Sequence, residues 1–221
     1  VQLTQGEWDV VDVLGFDAKR KRIYFSSSKE GATQKHTSHV DMRGRVTTLD
    51  ATSGTHSDDF SNSFDYSIHQ HSTANTPPVY TLRDRNGKVI RTLKDNASLR
   101  ETLAEHGAVD KEFFTFTNDA GVELNCWKML PQDFDPAKKY PVYVAIYGGP
   151  GANTVTDSWG GSTFMWQQYL AQEGYIVVSC DPRGTQFRGR AFEHSTYKEL
   201  GKLETEAVSY THLTLPTSYA V

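Results

Sequence analysis

Val142-Tyr143-Val144-Ala145-Ile146-Tyr147-Gly148-Gly149-Pro150-Gly151 is the stretch on which the fold turns. Six apolar or aromatic residues run without a polar break and stop at glycine and proline. A run this short and this apolar reads as a strand covered on both faces. A second such run, Tyr175-Ile176-Val177-Val178-Ser179-Cys180, follows. Between them Ser162 is placed to cap a helix through Ala171, with Met165, Tyr169 and Leu170 spaced to face a sheet and Gly174 as its stop. Strand, helix and strand in that order predict a parallel crossover, and hence α/β architecture. Phe113 to Thr117 and Glu123 to Leu130 add two more strands upstream, in which Phe113, Phe114 and Phe116 read as sheet-packing core groups.

Further upstream the pattern changes. Trp8 to Leu14, Arg22 to Phe25, His39 to Met42, Val46 to Leu49, Phe64 to Ile68, Val79 to Leu82 and Val89 to Leu93 are seven short runs rich in β-branched and aromatic residues. Arg43-Gly44 and Asn86-Gly87 are turn pairs between them, the second a hairpin signal. Runs arriving at this pace predict a meander such as propeller blades, each taking about 40 to 45 residues for four strands. Two blades fit. Asp95 to Ser98 offers caps for a connector helix that Gly107 ends, with Leu99 and Leu103 on one face.

The chain has 221 residues, with 23 Lys+Arg against 27 Asp+Glu, and no run of either sign. That balance argues against nucleic-acid binding and against a membrane-surface partner. No stretch approaches the roughly 20 apolar residues of a spanning helix. Cys126 and Cys180 lie inside strand-like runs and read as buried free thiols.

The chemistry belongs at the strand ends. In α/β sheets ligands bind outside the carboxyl ends of strands, so the glycine loop after residue 147 can bring backbone N–H groups and the Tyr147 phenol to a substrate carbonyl. On pattern alone an ordinary tight turn explains it equally well. Asp181-Pro182-Arg183-Gly184 follows the next strand, and anchoring of that loop by an Asp–Arg contact is favoured over catalysis. His69 and His71 flank Gln70 on one strand face, without a third ligand at metal-site spacing, and read as solvent-facing blade residues. No cofactor and no metal are expected.

Phe134-Asp135-Pro136-Ala137-Lys138-Lys139-Tyr140-Pro141-Val142, Tyr147-Gly148-Gly149-Pro150, Asp181-Pro182-Arg183-Gly184 and Leu200-Gly201-Lys202-Leu203-Glu204 resemble, in order and spacing, the prolyl oligopeptidase family. Gly6-Glu7-Trp8-Asp9-Val10, Thr76-Pro77-Pro78-Val79-Tyr80-Thr81-Leu82 and Leu93-Lys94-Asp95-Asn96 resemble the last propeller blades of its dipeptidyl peptidase IV branch. The likeness covers about residues 3 to 206. It implies β plus α/β architecture: the last blades of a β-propeller over 1–95, a connector helix over 96–111, and the N-terminal part of an α/β-hydrolase domain over 112–206. It implies serine-type release of N-terminal di- or tripeptides after Pro or Ala, with Tyr147 as the side-chain donor of the oxyanion hole. A periplasmic or extracellular location in a bacterium goes with it, and a homodimeric parent is compatible.

The family's nucleophile sits on a G-x-S-x-G elbow, and no such motif occurs in this sequence, nor do the acid and histidine that follow it. The chain by itself is therefore expected to be inactive, and an unpaired strand at 142–147 to favour aggregation. Residues 207–221 leave the family pattern. Val208 to Thr217, back-translated, matches one frame of a sequencing-library adapter, so the segment reads as a non-native tail in which Ser209 and His212 are not a dyad. Two other readings fit the same residues: a non-catalytic propeller and hydrolase-like binding module, and another α/β-hydrolase such as an acylaminoacyl peptidase or esterase.

Overall fold

The computed structural model describes residues 1–118, 120–147 and 149–206. The chain divides into two compact units. One comprises residues 1–101 together with 156–159, and the other begins at Thr102, runs to Val155 and resumes at Gly160.

The first unit is two four-stranded antiparallel meanders. β1 (Val10–Asp17), β2 (Arg22–Ser27), β3 (His36–Asp41) and β4 (Val46–Thr48) form one; β5 (Thr55–Phe60), β6 (Tyr66–Ser72), β7 (Val79–Asp84) and β8 (Val89–Lys94) form the other. Both are closed by the same device. Asp41 Oδ1 accepts from the amides of Arg43 and Arg45, and Asp84 Oδ1 from those of Asn86 and Lys88. Gly44 and Gly87, both at φ 81°, supply the left-handed step in these turns.

The sequence pattern misses β5. Its inward residues are His56 and Asp58, both buried, so the strand lacks apolar alternation and shows no signal until it is paired with β6. The two sheets are locked by aromatics. Tyr24, 1 % exposed, has Phe60 and Phe64 at ring-centroid distances of 4.7 and 5.0 Å. Phe64 sits so close to Gly15 that a Cβ there would stand 2.6 Å from the ring. Nearby, Arg20 reaches Asp17 at 2.6 Å, the Ser63 carbonyl at 3.2 Å, and Asp65.

After α1 (Ala97–Glu105), the second unit builds a mixed sheet in the order β11-β12-β10-β9. β9 (Glu112–Thr117) and β10 (Glu123–Met129) are antiparallel, β10 and β12 (Ile176–Cys180) are antiparallel, and β11 (Val142–Val144) runs parallel to β12. The parallel crossover expected from the sequence is thus present, made through α2 (Gly161–Gln172). Both faces of β10 and β12 are covered: Leu124, Cys126, Val178 and Cys180 form a core with Phe114, Phe116 and Phe192, while Trp127, Met129 and Val177 are buried on the alternate positions. The amide of Gln168 holds the connector against α2, accepting from Val109 N at 2.8 Å and donating to Val109 O at 2.6 Å.

Four expectations change. The strand predicted over 142–147 ends at Val144, and only Ala145 N, bonded to Val178 O at 2.8 Å, extends the ladder. α2 begins after Gly160 without a side-chain cap, and its buried face is Phe164, Gln167, Gln168, Leu170 and Ala171, leaving Met165 and Tyr169 exposed. Phe113 is exposed, because the outer face of edge strand β9 carries no layer among the described residues. Finally, Cys126 and Cys180 are not free thiols: they are directly opposed in the β10–β12 register and joined as a disulfide. A spacing of 54 residues gave no sign of that, since only the strand pairing makes them neighbours.

Two outcomes are expected in the full-length protein. Arg20→Ala weakens folding at neutral pH. Burial raises the Asp17 carboxyl pKa but the Arg20 contact more than offsets this, so the net shift is downward. A depressed folded pKa gives stability that is present above the unfolded value and lost as pH falls through the folded one. The deficit of the variant, measured by denaturant unfolding, closes as pH drops below about 3.9. Denaturation without reductant exposes no alkylatable thiol from Cys126 or Cys180, and their reduction costs about 2 to 4 kcal/mol in the same assay.

Candidate functional site

The two loops that leave the carboxyl ends of β11 and β12 are tied to one another. Asp181, the residue after β12 and 4 % exposed, is the knot. Its Oδ1 accepts from Thr154 N at 2.7 Å and Thr154 Oγ1 at 2.9 Å, and its Oδ2 from Val155 N at 3.2 Å. Burial pushes the carboxyl above its ordinary range, and these donors restrain the rise. Ser179 Oγ donates to Thr154 Oγ1 at 2.9 Å, and Trp127 Nε1 to the Thr154 carbonyl at 3.0 Å. A second tie is reciprocal: Asn153 Nδ2 donates to Gln186 O at 3.1 Å, and Gln186 N to Asn153 Oδ1 at 3.1 Å.

The loop anchoring expected at Asp181-Pro182-Arg183-Gly184 is present, with different partners. Asp181 bonds the neighbouring loop, whereas Arg183 Nη2 pairs with Glu206 Oε2 at 3.0 Å. A carboxylate already saturated by amides one strand away has no need of the guanidinium. Gly184 is required at its position: at φ 98°, a Cβ would stand 2.6 Å from Thr196 Oγ1. Arg188 lies over the Phe192 ring at 4.2 Å and donates to the Glu123 carbonyl at 2.5 Å, fixing the far end of the loop.

Tyr147 stands on the first of these loops, past the end of β11, and is 64 % exposed. Gly148 lies outside the described residues, as do Ser209, His212 and the whole predicted tail. Gly149 passes beneath the phenol ring: a Cβ there would be 2.9 Å from Tyr147 Cε1. The glycine therefore allows the backbone to fold under the tyrosine, leaving an accessible hydroxyl beside a strand end. Such a phenol can donate a hydrogen bond to an oxyanion in a partly desolvated site. The tie through Asp181, Thr154 and Asn153 was not foreseen, because single Thr and Asn residues in a loop carry no motif; a buried Asp at a strand's end was the one available signal.

A glycine loop and an Asp-anchored loop at adjacent strand ends of a mixed sheet, after two antiparallel meanders, are the arrangement of the last blades of a propeller followed by the N-terminal part of an α/β-hydrolase domain. Residues 1–78 match the dipeptidyl peptidase IV N-terminal region, and residues 162–208 match the prolyl oligopeptidase family. The chain is 35 % identical over 214 residues to a dipeptidyl peptidase 4 of Trichophyton rubrum and, equally, to one of Arthroderma otae, covering 93 % of this chain and 27 % of each relative. It matches the crystal structure of Porphyromonas gingivalis dipeptidyl peptidase 4 with a TM-score of 0.90 at 35 % identity, over 96 % of this chain and 30 % of that one. In sequence and in fold the chain is thus similar to the dipeptidyl peptidase IV branch of the prolyl oligopeptidase family. It spans about 27 % of the length of the curated relatives it matches. No helix among the described residues is long and apolar enough to cross a membrane.

Asp181→Ala strands the buried Val155 amide and the half-buried Thr154 amide and hydroxyl, and each costs about 1 to 3 kcal/mol when buried and unpaired. The full-length variant is expected to lose about 3 kcal/mol or more of stability by denaturant unfolding; a loss under about 1 kcal/mol would show that the knot is not needed.

Proposed function

We propose that this chain is part of a serine exopeptidase that releases N-terminal dipeptides or tripeptides after Pro or Ala, and that Tyr147 is the side-chain donor of its oxyanion hole. The observation that carries the reading is the placement of an accessible phenol on a glycine loop at the end of a parallel strand, with that loop clamped through Asn153 and Thr154 to the loop after the next strand. A fixed donor costs no reorganisation as negative charge develops on the acyl oxygen, which is where electrostatic catalysis is strongest. Acylation also needs an activated serine. The sequence contains no G-x-S-x-G, so that serine and its base are supplied by polypeptide other than these residues.

Peptide substrates follow from the reading, and the names of the relatives favour dipeptides. A periplasmic or extracellular location in a bacterium belongs to the same proposal: the Cys126–Cys180 disulfide suits an oxidising compartment. A homodimeric parent is compatible with it.

The test is Tyr147→Phe in the full-length protein, assayed on a chromogenic Xaa-Pro dipeptide anilide. Removing one oxyanion donor is expected to lower kcat about 10²- to 10³-fold with little change in KM. The 221-residue chain alone is expected to give no hydrolysis. A Tyr147→Phe enzyme with unaltered kcat would remove Tyr147 from the oxyanion hole.

A further inference from the structure

The interior of the first unit holds a cluster of imidazoles that the peptidase reading does not use. In the β5–β6 register His56 opposes His71 and Asp58 opposes His69. His36, from β3, brings its ring to 4.6 Å from that of His56. His69 is not solvent-facing as the sequence suggests: His36, His56 and His69 are each 1 % exposed, and His71 is half-buried.

The hydrogen bonds fix the tautomers of the central pair. His56 Nε2 lies 2.8 Å from the Thr52 carbonyl, which can only accept. His69 Nδ1 lies 3.2 Å from Asp58 Oδ2, while Asp58 Oδ1 accepts from Ser67 Oγ at 2.9 Å. Those two ring nitrogens therefore carry the protons. In the neutral rings this leaves His56 Nδ1 and His69 Nε2 as bare lone pairs, and they face each other at 3.3 Å. Two acceptors at that separation repel unless an electropositive centre lies between them.

The separation suits a metal ion. Two nitrogens, each about 2.0 to 2.1 Å from one tetrahedral ion, stand roughly 3.3 to 3.4 Å apart. Asp50, in the link between β4 and β5, brings a carboxylate oxygen so that its ligand atom and those of both histidines all lie within 4.8 Å of one another. That carboxylate is already oriented: Oδ1 accepts from Thr52 N at 3.0 Å and Thr52 Oγ1 at 2.8 Å, and Oδ2 lies 2.9 Å from Arg83 Nη2. Each histidine is likewise held from behind, one by a carbonyl and one by a carboxylate, as metal-bound imidazoles are.

We propose that Asp50, His56 and His69 form a site for a divalent transition-metal ion of the zinc class, with His56 Nδ1, His69 Nε2 and an Asp50 oxygen as ligands and solvent in the fourth position. Two imidazoles select against Mg²⁺ and Ca²⁺, which take oxygen ligands. The ion ties the β4–β5 link to the interior of the second meander, a structural role separate from peptide hydrolysis.

The test uses the full-length protein, tag removed and stripped with a chelator. It is titrated with Zn²⁺ alone by calorimetry and with Co²⁺ followed by visible absorption. Expected are one ion bound with loss on Asp50→Asn, intense tetrahedral d–d bands for Co²⁺, and a rise in Tm with Zn²⁺. Asp58→Asn, which alters the support of His69 and removes no ligand, should weaken binding by about 10- to 100-fold. Because changes at a buried histidine can unfold the blade, X-ray absorption of the unaltered, Zn²⁺-loaded protein provides a second reading, expected to contain imidazole scattering from two histidines. Absence of stoichiometric binding, binding unchanged in folded Asp50→Asn and Asp58→Asn proteins, or a zinc shell without imidazole would each overturn the site. None of these outcomes bears on whether Tyr147→Phe lowers kcat, so the two readings fail separately.

Discussion

The hydrogen bonds that the Asp181 carboxylate receives from Thr154 and Val155 organise everything at the open end of the sheet. The chain leaving β11 must travel through residues assigned to the first unit before it returns as α2, and nothing in the three-residue strand itself dictates where the intervening loop lies. A buried carboxylate at the end of β12 supplies that constraint, because its donors are the amides and hydroxyl of this loop and an anion left without them is costly. Trp127 and Ser179 reach the same threonine from β10 and β12, so one loop residue is held by two strand positions and by Asp181. Tyr147 stands on the same loop, past the end of its own strand at Val144.

The first unit solves a different problem. Its blades bury polar side chains as much as apolar ones: Asp17, His36, His56, Asp58, Ser67 and His69 are all inside. Such an interior is stable only when its donors and acceptors match. Most do, through the Asp17–Arg20–Asp65 bridge and the His69–Asp58–Ser67 relay. Where the interior leaves the Ser26, Ser27 and Thr81 hydroxyls without a partner among the described residues, a single donor or acceptor is idle; at His56 and His69 two ring nitrogens face each other, and that is where an ion is to be sought.

Much of this was legible beforehand. Apolar runs with glycine and proline at their ends marked β12 and most blade strands, because burial on one or both faces leaves a pattern in composition. The ordered motifs from Phe134 to Glu204 carried the family likeness, and with it the place of Tyr147. β5 was not legible, since a strand whose inward residues are His and Asp lacks the apolar signal used to find strands. The rotation of α2, which exposes Met165 and Tyr169 and buries Gln167 and Gln168, was hidden for a related reason: Gln168 is buried for the sake of the Val109 backbone, a partner far away in sequence.

The sequence by itself determined β12, most blade strands, the turns at Gly44 and Gly87, and which loop presents a phenol, because these depend on local periodicity and backbone freedom. Tertiary structure alone decided that Cys126 meets Cys180, that Asp181 binds Thr154 rather than Arg183, and that Asp50 joins His56 and His69. Each of those is a pairing between residues on different elements. Strand register and sheet order set such distances, and neither is written in the spacing of the residues involved.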